Sequence, residues 1–202
     1  MNKALLTITP LLFLLLAFSS CEKKGIGSIS DGYAPTDSLF FGFYLGMPQK
    51  DFFDLCTQLN QRQIITQGPG GTTSVEHRIK DEFDSEVTMR FFPTIVDEKI
   101  FEMPVTYAYV AWAPWNKQYW SDHLLEKVLD KYKQVYGEDF KMINHPLQGK
   151  VYYKMDGKRR INLFIQDDQF VQAVFTDLKV EKRLKEEFEQ NKSVQKEGSE
   201  NP

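Results

Sequence analysis

The sequence predicts an α+β fold in which helices cover one face of an antiparallel sheet. Three observations lead there. Residues 121–136 repeat apolar side chains at the helical period. Six short runs of β-forming residues are joined by turns, most of them too brief for the crossovers that parallel strands need. The order helix-then-strands occurs twice, over units of about 39–112 and 119–177, which are expected to share one sheet or core.

Residues 1–20 have the layout of an export signal. Lys3 supplies a positive charge, an apolar run fills 4–18, and Ser19-Ser20 places small residues directly before Cys21. The run contains Pro10 and is shorter than the ~20 apolar residues of a spanning helix. These residues resemble the lipobox of bacterial lipoproteins, which implies cleavage before Cys21 and a diacylglycerol on its thiol. Each methylene that enters the bilayer contributes ~0.8 kcal/mol, so the lipid on Cys21 would make the membrane the first partner. Residues 21–38, rich in Gly, Ser, Asp and Lys, read as the lipidated cysteine and a flexible tether.

The body is expected over 39–190. Its first helix opens at Gly46-Met47-Pro48, because proline at a helix start loses no hydrogen bond, and runs to about residue 59. Gly68-Pro69-Gly70-Gly71 then reads as a loop, and strands are expected at 73–80, 86–92 and 100–112. Ser121 is the expected N-cap of the second helix, whose stripe is Leu124, Leu125, Val128, Leu129, Tyr132, Val135 and Tyr136, with Gly137 as C-cap. Strands follow at 151–155, 160–166 and 170–176, the first two joined by a hairpin turn at Asp156-Gly157. A final amphipathic helix over 178–189 aligns Val180, Leu184 and Phe188, and residues 191–202 are expected to be a disordered tail.

Cleavage at Cys21 removes 20 of the 202 residues, leaving 182, and loss of Lys3 moves the formal charge from −3 to −4. A mildly acidic body without basic blocks argues against nucleic acid as a partner. With Cys21 lipidated, Cys56 has no second cysteine to pair with, so packing must stabilise the fold. On the first helix Cys56 shares a face with Phe52, Leu55 and Leu59, which places it in the core.

The segment Gly46-Met47-Pro48-Gln49-Lys50-Asp51-Phe52, with Leu55 and Leu59 after it, resembles the helix start of small outer-membrane lipoproteins of the SmpA/OmlA (BamE-like) type. The helix-plus-sheet units are similar to those of β-lactamase-inhibitor-protein-like domains, and the helix ending at residues 131–137 is similar to helix ends there. The resemblance implies an outer-membrane address and protein binding through exposed sheet or loop surface. It transfers no binding residue.

Catalytic constellations are not expected. His77 falls on the apolar alternation of its strand, His123 opposite the stripe of its helix, and His145 before Pro146 in a loop. No His-x-x-x-His or Cys-x-x-Cys spacing supports a metal, and Gly68–Gly71 lacks the Lys-Ser/Thr of a phosphate loop. Asp81-Glu82 and Asp167-Asp168 lie at expected turns. No cofactor is expected.

The aromatic cluster stands out: Tyr107, Tyr109, Trp112, Trp115, Tyr119 and Trp120 fall within fourteen positions. Trp and Tyr offer large, rigid contact area with a polar handle, which suits a partner or sugar surface. Equally, a loop joining two packed units can plug their seam; on either reading Trp115 is the residue expected to be exposed. Trp112, Trp115, Tyr119 and Trp120 are the candidate binding residues. The expected function is that of a non-enzymatic envelope lipoprotein that binds or assembles with another envelope protein. A small-ligand or glycan-binding lipoprotein using the same aromatics is the alternative.

Overall fold

The computed structural model describes residues 37–199, with side chains to 193. The expected signal, Cys21 and nearly all of the tether lie outside the described residues. The body begins slightly before residue 39, since Ser38 is buried and Lys158 pairs with Asp37 at 3.2 Å.

An irregular segment precedes the first helix and buries Leu39, Phe40, Phe43, Leu45 and Met47. Gly46, at φ 85°, turns the chain so that its N–H reaches the Ile100 carbonyl at 2.8 Å, while the Met47 carbonyl accepts from Ile100 at 2.9 Å. Pro48 is the cap of α1 (Gln49–Gln61) instead of its first residue. The fixed ring angle suits both places, and the extended ψ of 141° decides for the cap. Phe52 and Leu59 are buried and Leu55 and Cys56 half-buried against the core, as the shared face predicts.

The strands are β1 (Thr66–Gln67), β2 (Val75–Ile79), β3 (Val87–Phe91), β4 (Thr94–Val96) and β5 (Lys99–Tyr109), then, after α2 (Ser121–Tyr136), β6 (Lys141–His145), β7 (Gly149–Asp156), β8 (Arg159–Ile165) and β9 (Val171–Asp177). All pair antiparallel in one sheet of order β1-β2-β3-β5-β9-β8-β7-β6, with β4 beside the start of β5. The fold is therefore α+β with a single nine-stranded sheet and, among the described residues, three α-helices. Gly68–Gly71 lies in the turn joining β1 to β2, held by Gly68 N–H donating to the Ser74 carbonyl at 2.8 Å.

Several expected details shift. β1, β4 and β6 are additional strands: the first two are too short to show a period, and β6 lacks clean alternation because it gains its geometry from β7. This moves His145 from a loop to the end of β6. β5 stops at Tyr109, three residues short of Trp112. The β7–β8 turn consists of Gly157 and Lys158, one residue later than expected, because Asp156 pairs with Arg159; Gly157 at φ 57° supplies the positive angle of such a hairpin.

Ser121 is the first helical residue of α2, not its cap. Its hydroxyl donates instead to the Asp167 carbonyl at 2.5 Å. Gly137 does end the helix, at φ 100°. The α2 stripe packs on Tyr107, Val171, Ala173, Phe175, Ile161 and Leu163 of the sheet, and each large side chain so buried contributes about 1.5–3 kcal/mol.

α3 (Leu178–Ser199) continues well past residue 190, through most of the stretch expected to be disordered. Its residues are chiefly Glu, Lys and Gln, good helix formers, and the pairs Glu181–Lys185, Lys182–Glu186 and Arg183–Glu187 sit at helical i,i+4 spacing. Its first turns are tied down by Glu181, which pairs with Arg160 at 2.8 Å, and by Arg183, which pairs with Asp97 in the turn between β4 and β5, while Phe101, Leu184 and Phe188 line a pocket between helix and sheet. No helix among the described residues is long and apolar enough to cross a membrane.

Candidate binding surface

Residues 110–120 carry the chain from the end of β5 to the start of α2. Trp112 is half-buried against the core, and its Nε1 donates to the Asp168 carbonyl at 3.2 Å. Ser121 N–H donates to the same carbonyl at 2.9 Å, so the β8–β9 turn fastens both ends of the connection. That turn is itself braced, because the Asp167 carboxylate accepts from the N–H groups of Gln169 and Phe170 at 2.9 and 2.8 Å. Asp167-Asp168 thus serves turn chemistry.

Tyr119 packs on Tyr109 at 5.2 Å between ring centres, and Lys117 lies 5.5 Å over the ring of Trp120. Trp112, Tyr119 and Trp120 are therefore largely committed to the protein's own packing. Trp115 is not: it is 86% exposed, at the tip of the connection. The structure splits the four candidate binding residues into three supporting ones and one presented one.

Below the junction, Tyr109 OH donates to Asp84 at 2.7 Å and accepts from Lys127 at 3.2 Å, while Lys127 also pairs with Asp84. Hydrogen bonds from Lys127 and Tyr109 hold the Asp84 carboxyl below its ordinary range. Burial, with Asp84 beside it, pushes the Tyr109 hydroxyl up to about 12. This network ties the loop after β2 to α2 and the aromatic junction.

A second surface was missed at the sequence level. Cross-strand partners share a face, and following them across the sheet gives one row: Thr66, Glu76, Arg90, Thr106, Gln172, Phe164, Val151 and Ile143. It lies on the face opposite α1 and α2. One end is ionic, with Arg90 and Arg78 each donating to Glu76 at 2.9 Å. Burial alone would raise the Glu76 carboxyl, but those two guanidinium bonds outweigh it and hold the group below its ordinary value. The other end is apolar, through Phe164 and Val151, and finishes on β6 at Ile143, which is 46% exposed. The alternation of Val151, Tyr153 and Met155 against Lys150, Tyr152, Lys154 and Asp156 was the available signal, but it does not say which face the helices cover.

The remaining candidates take structural places. Cys56 is half-buried, and burial raises its thiol to about 12. His77 Nδ1 donates to the Ile64 carbonyl at 2.6 Å and packs edge-on to Phe41; His123 is exposed. His145 Nδ1 accepts from the N–H groups of Leu147 and Gln148, bracing the turn after β6. Asp81-Glu82 lies in the loop between β2 and β3, where Glu82 is 4.0 Å from Lys131 of α2. Among the described residues no three His, Cys, Asp or Glu side chains converge as a metal site would require. No protein-family model, curated protein or solved structure matches this chain.

Proposed function

We propose that this chain is a lipid-anchored envelope protein, held by Cys21 at the outer membrane, that works by binding another envelope protein and not by catalysis. The observation that carries the reading is Trp115, 86% exposed at the tip of a connection fastened at both ends to Asp168. A large aromatic side chain on a braced loop loses little conformational entropy when a partner covers it, which is the usual property of an interface anchor.

The order of strands supports the two-unit reading that accompanies this function. From β1 to β5 the first unit runs from an edge to the centre, and from β6 to β9 the second runs inward from the opposite edge, each after its own helix. The last strands of the two units, β5 and β9, pair antiparallel at the middle. The residue 46–52 resemblance to SmpA/OmlA-type lipoproteins fits the same picture, with Gly46 and Met47 pinned to Ile100 beneath α1.

The test has two parts. Wild-type protein should fractionate with membranes and carry a lipid-sized mass increase, and Cys21→Ala should lose both. Crosslinking in intact envelopes should then give a reproducible protein adduct that Trp115→Ala removes while the variant stays folded. Retention that depends only on glycan, or turnover of an envelope substrate by the purified chain, would overturn the reading.

A further inference from the structure

We propose that β6 is a docking edge for an extended segment of another protein, one with alternating apolar residues between acidic flanks. This rests on the reading that the chain acts by protein contact, and it adds a surface separate from Trp115.

β6 is the last strand of the sheet on its side, hydrogen-bonded to β7 along one edge. In an antiparallel strand alternate residues turn their N–H and C=O groups to the other edge, where they are a template for a further strand. The devices that usually blunt such an edge stand only at its two ends, as Lys141 and Pro146. The register between β6 and β7 runs from Lys141 to His145 without a bulge, and proline enters only after the strand, at Pro146. Among the described residues nothing fully covers either face of β6, since Met142 and Ile143 point to opposite faces and each is about half exposed. The opposite end of the sheet differs: β1 has only two residues, and the row beside it is closed by Glu76 and its arginines.

The row from Phe164 through Val151 to Ile143 decides what an added strand should carry. Phe164 and Val151 are 6% and 3% exposed, and Ile143 is where that apolar row stops. An apolar side chain on the added strand would lie beside Ile143 and continue the row. Leu147, 91% exposed in the next turn, extends the apolar contact past the strand.

Charge decides the flanks. Residues 140–153 contain Lys141 and Lys150 and no acid, in a chain of net charge −3. The acids just upstream are Glu138 and Asp139, and Asp139 is engaged by Lys154. Acidic flanks complement this edge. A second copy does not, because its own edge brings the same Lys141 and Lys150 and no acid. Main-chain bonds would supply the affinity and the alternate side chains the specificity, as in other strand additions.

The experiment uses the full chain in detergent and three peptide pools of about nine residues that alternate Val, Ile or Phe with Thr. One pool has Glu flanks, one has Lys flanks, and one has Glu flanks with alternate amides N-methylated. Fluorescence anisotropy should show saturable binding of the first, with binding at least about tenfold weaker for the other two. Ile143→Lys should weaken the first by about tenfold or more, as should Met142→Lys, while Trp115→Ala leaves it unchanged. Absence of saturable binding, or binding indifferent to N-methylation or flank charge, would overturn the proposal. So would a sedimenting dimer that Ile143→Lys dissolves, because a second copy would then hold the edge. If Trp115→Ala removes the envelope adduct while the peptide arms fail, the binding function stands and only the docking edge falls.

Discussion

The hydroxyls of Tyr107 on β5 and Tyr132 on α2 meet at 3.1 Å inside the core, with their rings edge to face at 6.2 Å. Both are fully buried, and burial drives both hydroxyls well above their ordinary range, so each stays neutral and satisfies the other. Removing one hydroxyl strands its partner, which costs about 1–3 kcal/mol, whereas removing both leaves apolar rings in an apolar place. Tyr107→Phe and Tyr132→Phe should each lower the urea midpoint, and the double variant should lose less than the sum. Additive losses would mean the hydrogen bond contributes nothing.

Gly137 ends α2 at φ 100° and ψ 158°, a conformation reached almost only by glycine. A Cβ there would also stand 3.3 Å from Lys154 Nζ, which reaches back to Asp139. Gly137→Ala should therefore cost about 1–3 kcal/mol. Gly149, also at positive φ but with open space around its position, should lose less when changed to alanine, since strain acts there without the contact. Thermal melts of the two variants compare the contributions directly.

Glu76 gives the fold a pH dependence. Its carboxyl titrates lower when folded than when unfolded, so its contribution is present above the ordinary value of 4.5 and disappears as pH falls through the folded value. Glu76→Gln should cost on the order of 1 kcal/mol at neutral pH, a modest figure because Arg78 and Arg90 are partly exposed. The gap between wild type and variant should narrow in acid. Parallel stability curves down to pH 3 would exclude Glu76 as the source.

Trp112 and Trp115 should separate cleanly. Trp112→Ala removes half-buried area and the bond to Asp168, costing about 2 kcal/mol, less than a fully buried aromatic. Trp115→Ala should change stability by less than about 0.5 kcal/mol, because nothing in the fold covers it. Chemical denaturation of both variants checks the assignment of one to support and the other to presentation.

Much of this arrangement was legible in local patterns. The stripe from Leu124 to Tyr136 and the glycine after it announced α2, and the six main strands were each located to within a few residues. The face shared by Phe52, Leu55, Cys56 and Leu59 pointed Cys56 toward the core, against which it is half-buried. Where the reading failed, local signal was weak or borrowed. Ser121 looked like a cap, but the Asp167 carbonyl, 46 positions away, competes for its hydroxyl. Residues past 190 looked too polar to order, yet α3 runs on along them.

From the sequence alone came the α+β class, the helix-then-strands order, the aromatic cluster and the expectation of a lipid anchor at Cys21. Those depend on composition and on periods of two or 3.6 residues, which any chain displays before it folds. The exposure of Trp115 was also expected from the sequence, but only tertiary structure decided that Trp112, Tyr119 and Trp120 turn to the protein's own packing, that one sheet joins the nine described strands, and that its apolar row stops at Ile143. Exposure and strand order are set by contacts between residues far apart in the chain, such as Trp112 with Asp168 and Tyr107 with Val171, and local patterning carries no record of them.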